Sequence, residues 1–451
     1  MADLRRLLDD GKPIFGTDGV RGVAGSELTP ELALAVGRAA GSYLRGGPVV
    51  VGRDTRRSGE MLSSALQAGF HAVGIDTVDV GVLPSGGISN LTATSGATMG
   101  AVVSASHNPA KDNGIKLLAA RGTKLPDEVE REIEDRLRSS GFRSALGPGI
   151  GTRFQDADAL ESYVAHLLVI ARYKLSGLRL ALDCANGAAF RAAPLLFEGL
   201  KADVAVFGDA PDGNNINDGC GATHPEFLAE HAMGRIGLSF DGDADRLIAV
   251  DEDGRVANGD VIMAIIARHL KAQGKLVKNL VVATVMSNLG FRKSMAEAEI
   301  EIIETRVGDR YVMEALIESE GLLGGEQSGH VIFLDQGRTG DGLLTAVRLL
   351  DVVAGTGKEL RELRAEAIVE YPQILTSVRV DRTVDLDAVP EFWEQVRSLE
   401  EELGVEGRVL VRASGTEPVI RIMVEAPSEE TARHYADRLS AVTETSFGKG
   451  G

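Results

Sequence analysis

An apolar run, a polar or glycine-bearing turn and a helical stretch follow one another three times along the chain: PVVVGRDTRRSG from Pro48, LRLALDCANGAA from Leu178 and LVVATVMSNLG from Leu280. Each is the strand-turn-helix unit from which α/β sheets are built. The units start roughly 100 to 130 residues apart, a spacing that fits three α/β domains of similar plan. One large doubly wound domain with insertions is the competing arrangement. A chain of 451 residues is too long for a single core, and at about 150 residues per domain it divides into three or four.

Turn signals place the joints. SSGFRSALGPGIGTRF from Ser139 separates a charged helix, Asp127 to Arg138, from a helix expected near Asp156. DEDGRVANGD from Asp251 holds a hairpin turn before a helix expected near Asp260. Beyond Ala365 strand-like ILTSVRV, helical VPEFWEQVRSLEEEL, strands GRVLVRAS and VIRIMVEA and a final helix from Ser428 read as a small α+β domain. The fold class expected is therefore α/β: three similar mixed-sheet α/β domains, 1–153, 154–256 and 257–368, plus a smaller C-terminal α+β domain, 369–451.

The formal charge of −18, uninterrupted by a Lys/Arg block, argues against sequence-independent nucleic-acid binding and means that any anion must be held locally. Cys184 and Cys220 are too few for a disulfide framework and sit in no zinc spacing, which fits a reducing compartment. MADLRRLLDDGKPIFG reads as a short charged helix without a signal-peptide core, and nowhere do 18 apolar residues run together. A cytoplasmic protein with no membrane and no nucleic-acid partner is expected, as monomer or homodimer.

In SFDGDADRLIAVDEDG, Asp241, Asp243 and Asp245 recur at every second position. Carboxylates at that spacing repel unless a cation lies between them, and oxygen-only ligands point to Mg²⁺ or Ca²⁺. An EF-hand is the rival, since Glu252 stands at position 12, but position 6 is Arg246 where that loop needs glycine, and IGLSF and LIAV on either side read as strands. A solvated acidic turn is the bland alternative. Arg246 beside the triad reads as a cation aimed at a substrate anion.

MGAVVSASHNP reads as a buried strand ending in a turn, with Pro109 preventing a helix from starting at once. Serine-hydrolase chemistry fits poorly: there is no G-x-S-x-G elbow, and His107 is badly placed to act as base for its neighbour Ser106. A phosphorylated Ser106 suits the surroundings, as an oxygen ligand to a cation on the aspartates with Lys116 nearby; a structural turn is the alternative. VRASGTEPVIRI offers Arg412, Ser414, Gly415 and Thr416, with Arg421 returning on the next strand, as a phosphate clamp or as an ordinary strand-turn-strand. GGEQSGH places Glu326, Ser328 and His330 where alternation directs polar groups to one side, suited to sugar hydroxyls. FGTDGVRG offers Arg21 among three glycines.

These five stretches, in this order and over nearly the whole chain, resemble the α-D-phosphohexomutase superfamily. The phosphoserine signature Ser-Ala-Ser-His-Asn-Pro stands at Ser104 to Pro109, the metal loop at Asp241 to Arg246, the sugar loop at Gly325 to His330 and the phosphate loop at Arg412 to Thr416. The resemblance is closest to the branch acting on glucosamine phosphates, through FGTDGVRG, Gln327 and TRVGDRYV, where Gly308-Asp309 replaces the Gly-His of the phosphomannomutase/phosphoglucomutase branch. Ala244, where glycine is commoner, is a small departure.

The resemblance implies domains around a central cleft, one Mg²⁺ on phosphorylated Ser106, Asp241, Asp243 and Asp245, and a hexose or hexosamine 1,6-bisphosphate activator. It implies charge stabilisation by Arg21, Lys116 and Arg246, acid and base work by Lys116 or His330, and His107 supporting the phosphoserine. Sugar recognition falls to Glu326, Ser328, Gly308 and Asp309, phosphate binding to Arg412, Ser414, Gly415, Thr416 and Arg421. The partner implied is a small-molecule sugar phosphate. A mutase for neutral hexose phosphates and a non-catalytic sugar-phosphate sensor are the rival readings.

Overall fold

In a computed structural model of the chain, the described residues are 13–16, 18–139, 142–380, 386, 389–414 and 418–447. The charged N-terminal helix read from the sequence lies largely outside them, as do Gly415 and Thr416. The chain divides into two compact units, one of 1–286 with 300–367 and one of 287–299 with 368–451.

The first unit holds three mixed sheets. The first contains β1 (Val20–Val23), β2 (Val49–Arg53), β3 (Thr77–Val82), β4 (Met99–Val103), β5 (Asp112–Ala119) and β6 (Arg153–Gln155), in the order β1-β5-β4-β2-β3-β6. Strands β2, β3, β4 and β6 are parallel, and β5 is antiparallel to both β4 and β1. The chain leaves β2 for β3 on one side and returns to β4 on the other. The carboxyl ends of β2 and β4 therefore flank a topological switch point, where α/β sheets place their ligands.

The second sheet repeats this device. It contains β7 (Arg179–Asp183), β8 (Asp203–Phe207), β9 (Ile236–Phe240), β10 (Leu247–Val250) and β11 (Val256–Ala257), in the order β11-β10-β9-β7-β8. β7 is parallel to both β8 and β9, so its switch point lies at the ends of β7 and β9. β9 and β10 are an antiparallel pair with Phe240 opposite Leu247. IGLSF and LIAV are thus strands, as the sequence indicates, and the aspartates occupy the turn between them. The third sheet contains β12 (Leu280–Thr284), β13 (Glu301–Thr305), β14 (Leu323–Gly325) and β15 (Val331–Phe333), in the order β13-β12-β14-β15.

The first helix after β1 begins on a start signal in the sequence. Thr29 caps the helix Pro30–Tyr43 by accepting a hydrogen bond from Leu32 N, and Pro30 stands at its first turn. This helix packs on Gly59–Ala72 at backbone distance: a Cβ on Gly37 would lie 2.1 Å from Leu66 O, and one on Gly69 2.2 Å from Leu34 O. Leu62, Leu66 and Phe70 carry the contact into the core of the first sheet.

The second unit contains an antiparallel sheet in the order β16-β18-β17, from β16 (Gln373–Arg379), β17 (Arg408–Ala413) and β18 (Val419–Glu425). The helices Pro390–Leu403 and Glu429–Phe447 close its core around Phe392, Leu439, Ile422 and Val424. The helix Leu289–Glu297 groups with this unit, although it completes the third strand-turn-helix pattern of the sequence. Asn288 donates to Tyr371 O at 2.9 Å and accepts from Tyr371 N at 3.0 Å.

Candidate active site

β4 is buried along its whole length and delivers SASHNP to the switch point of the first sheet. Ser104 donates to Asp54 Oδ2 at 2.6 Å and accepts from Ser106 N at 2.9 Å. Ser106 has φ +51°, left-handed backbone that a serine adopts only under constraint. Its buried hydroxyl donates to Asp241 Oδ2 at 2.6 Å, joining the ends of two sheets. His107 Nδ1 lies 3.2 Å from Ser106 Oγ. Burial and then Arg246 push the His107 imidazole down to about 4, so it is neutral at pH 7.

The three aspartates offer ligand oxygens that all lie within 4.8 Å of one another, in full burial. Asp243 Oδ1 and Asp245 Oδ1 have no hydrogen-bond partner among the described residues. Burial, then Asp245 and Asp243, raise the Asp241 carboxyl well above its ordinary range. Crowded carboxylates with oxygens unsatisfied, beside a serine hydroxyl, fit a hard cation with oxygen ligands. Ser85, at the start of the helix Ser85–Thr94, fixes Asp243 from behind, donating from N to Asp243 O at 2.9 Å and from Oγ to Oδ2 at 2.8 Å. Ala244 has φ +57°, left-handed backbone that a glycine would adopt without steric cost.

Lys116, on β5, reaches Asp243 Oδ2 at 3.1 Å and Asp245 Oδ2 at 3.3 Å. Burial disfavours its charge, but those two carboxylates outweigh this and raise its pKa, so it stays an ammonium. At Asp245 burial is likewise outweighed, by Lys116, His330 and Arg246, and the carboxyl is held below its usual range. Arg246 Nε stands 3.8 Å from Asp245 Oδ1, and Arg246 forms an antiparallel bridge with His330. His330 is thereby brought from the third sheet to the metal loop, its Nδ1 buried without a hydrogen-bond partner among the described residues.

Arg21 stands on β1 opposite Gly114 and pairs with Asp18 at 3.2 Å. Asp18 also meets Lys124, whose Nζ lies 3.4 Å from Asp309 Oδ1. Gly308 N donates to Glu326 Oε1 at 3.0 Å, so the two stretches assigned to sugar recognition touch. Ser328 is exposed at the tip of its loop. A cavity in this unit is lined by Asp18, Ser85, Lys116, Lys124, Asp245 and Asp309, among others. The first unit thus gathers Ser106, His107, Lys116, the three aspartates, Arg246 and His330, with Arg21, Gly308, Asp309 and Glu326 in the adjoining network.

In the second unit Arg412 and Arg421 are directly opposite across β17 and β18, and therefore share a face. Like charges so placed repel, and burial followed by Arg421 lowers the Arg412 pKa; an anion between them relieves that repulsion. Ser414 N donates to Val419 O at 2.9 Å at the close of this hairpin.

Sequence reasoning missed several polar residues of the first unit. Asp54 and Arg56 lie within the quoted GRDTRRSG, whose charge density was a signal left unused. Asn217, Ser85 and Lys124 have partners remote in sequence, and no local pattern marks them; Asp18 lies inside FGTDGVRG, of which only Arg21 was taken up.

Three family models match the chain: phosphoglucomutase/phosphomannomutase alpha/beta/alpha domain I over residues 12–144, alpha/beta/alpha domain III over 258–371 and the C-terminal domain over 375–442. A phosphoglucosamine mutase of Moorella thermoacetica is 50% identical over 438 residues, 95% of this chain and 98% of that protein. One from Brevibacillus brevis is 48% identical over 436 residues, 94% and 97% of the two chains. Among solved structures, a phosphoglucomutase/phosphomannomutase family protein of Burkholderia thailandensis superimposes with a TM-score of 0.81 at 27% identity, covering 96% of this chain and 97% of its own.

Proposed function

Because the chain belongs to the phosphoglucosamine mutases of the phosphoglucomutase/phosphomannomutase family, we propose that it interconverts glucosamine 6-phosphate and glucosamine 1-phosphate through phosphorylated Ser106 and a hexosamine 1,6-bisphosphate. The observation that carries this reading is the Ser106 hydroxyl, buried and hydrogen-bonded to one aspartate of a triad that fits a divalent cation. It supplies UDP-N-acetylglucosamine and cell-wall synthesis, and its place is the cytoplasm; among the described residues no helix is long and apolar enough to cross a membrane. The four-part division at 153, 256 and 368 is proposed with it.

Ser106, Asp241, Asp243 and Asp245 would hold one Mg²⁺. When bound, the ion supplies Lewis-acid stabilisation of charge on the transferring phosphoryl group. The chain's own groups do the remaining work. The free sugar hydroxyl attacks the phosphorus on Ser106, and the bond from phosphorus to Oγ breaks as the new one forms. Of the two groups expected to do acid and base work His330 takes the hydroxyl proton, because Lys116, held as an ammonium by Asp243 and Asp245, is left the part of acid. The reverse transfer, from the other phosphate of the bisphosphate, restores the phosphoserine and releases the isomer. Arg21, Lys116 and Arg246 offset charge on the transferring group, and His107 steadies the Ser106 oxygen. Glu326, Ser328, Gly308 and Asp309 recognise the sugar, and Arg412, Ser414, Gly415, Thr416 and Arg421 form a phosphate-binding set.

Incubation with isotopically labelled hexose 1,6-bisphosphate, followed by peptide mass spectrometry, tests the reading. Label is expected on Ser106, and Ser106→Ala is expected to lose both label and turnover. Near-normal turnover in Ser106→Ala would sink the phosphoserine mechanism.

A further inference from the structure

GRDTRRSG was singled out in the sequence as a strand-turn-helix joint, and the reaction proposed above gives it no task. Its second arginine, Arg56, is 2% exposed. The guanidinium is fixed by Asp54, whose Oδ2 accepts from Nε at 2.9 Å, while Oδ1 accepts from the Arg56 backbone N at 2.9 Å. All remaining hydrogen bonds of this side chain run to main-chain carbonyls of the serine loop. Nη1 donates to Pro109 O and, at 3.0 Å, to Asp112 O; Nη2 donates to Ser106 O at 2.9 Å and Asn108 O at 2.8 Å.

Asn217, from the loop that follows β8, grips the same two carbonyls. Its Nδ2 donates to Ser106 O at 2.9 Å and to Asn108 O at 3.1 Å. The two oxygens are thus each held by both side chains. The other end of Ser106 leads back to the same ion pair, since Ser106 N donates to Ser104 Oγ, which donates to Asp54 Oδ2.

We infer that Arg56 and Asn217 are positioning residues for phosphoryl transfer, clamping the Ser106 main chain so that Oγ is aimed at the aspartate triad. A left-handed conformation is strained for an L-residue with a Cβ, so Ser106 at φ +51° needs this external hold. Gly242 leaves the space for it: a Cβ there would lie 2.6 Å from Ser106 O and 2.8 Å from Asn217 Nδ2. A planar guanidinium with five donors spans four carbonyls, and an ammonium on a flexible stem does not.

The inference rests on the phosphoserine reading, and the test separates the two. Wild type, Arg56→Lys, Arg56→Ala and Asn217→Ala are compared for kcat, KM and the rate at which labelled hexose 1,6-bisphosphate phosphorylates Ser106. A misplacement of about 1 Å costs about 100-fold in rate. Arg56→Lys should therefore lose about that factor in kcat and in labelling rate, with KM held within about threefold. Asn217→Ala should lose about tenfold, since Arg56 still grips both carbonyls. Guanidinium ion at non-denaturing concentration should restore part of the rate to Arg56→Ala, a rescue that a general loss of folding would not show.

Unchanged kcat and labelling in Arg56→Lys and Asn217→Ala, or a loss confined to KM, would overturn the inference. If the Arg56 variants do not fold, Asn217→Ala decides alone: slowed labelling supports the clamp, and wild-type labelling refutes it. Failure of the wild type to take label on Ser106 would instead bring down the phosphoserine reading on which the clamp depends.

Discussion

Ser106 is the residue on which sequence and structure converge, yet each explains a different part of it. The sequence supplies the signature and the apolar strand that leads into it. The left-handed backbone, the aim of the hydroxyl at Asp241 and the support beneath it depend on Asp54, Arg56 and Asn217, which lie about 50 and 110 residues from the serine in the chain. No local pattern encodes such contacts. The aspartate triad was more legible, because carboxylates at every second position between two apolar runs leave few options, and burial beside a serine removes the solvated-turn alternative. Asp243→Asn removes one charge from the set while Ser85 still holds the side chain. It should weaken Mg²⁺ binding by calorimetry, and raise the Mg²⁺ needed for half-maximal activity, about tenfold, on the order of one charge-assisted contact. An unchanged metal titration would remove Asp243 from the ligands.

Among the elements, patterns that concern one strand or one helix were readable. The strands flanking the triad, the hairpin before Gly259–Ala272 and the C-terminal alternation all follow from apolar periodicity and turn residues. The helix expected near Asp156 begins at Ala159, because Asp156 Oδ1 accepts from Asp158 N and closes a turn of its own first. The sequence does not tell which body an element packs with: the helix Leu289–Glu297 is drawn to the second unit by Asn288, and by Gly290, whose Cβ would meet Val369 O at 1.9 Å.

Asp341 illustrates a cost carried by one element. It caps the helix Gly342–Thr356, accepting from Leu344 N at 3.0 Å and from Tyr163 Oη at 2.8 Å, and burial pushes its carboxyl up to about 6. The folded protein therefore holds this proton more tightly than the unfolded chain, whose value is near 3.8. The stability it contributes is full below 3.8 and lost as pH rises through about 6. Asp341→Asn keeps an acceptor and has no proton to lose. Urea unfolding from pH 4 to 7 should show wild type falling relative to the variant across that window, and parallel profiles would refute the assignment.

At the scale of the whole molecule, a net charge of −18 sets the terms on which an anionic substrate is held. Long-range attraction is absent, so binding falls to local cations. Arg21, Lys116 and Arg246 each stand beside carboxylates, and Arg412 and Arg421 face one another across a strand pair. The broad class, an α/β protein of the phosphoglucomutase/phosphomannomutase family, was legible from the motifs and their order. The choice among sugars, proposed to rest on a few contacts around Gly308, Asp309 and Glu326, is not fixed by residue types alone. The direct test is kcat/KM for glucosamine 6-phosphate, glucose 1-phosphate and mannose 1-phosphate, side by side, with Mg²⁺ and a trace of hexose 1,6-bisphosphate. The account predicts a clear preference for glucosamine 6-phosphate; preference for a neutral hexose phosphate, or turnover of none, would contradict it.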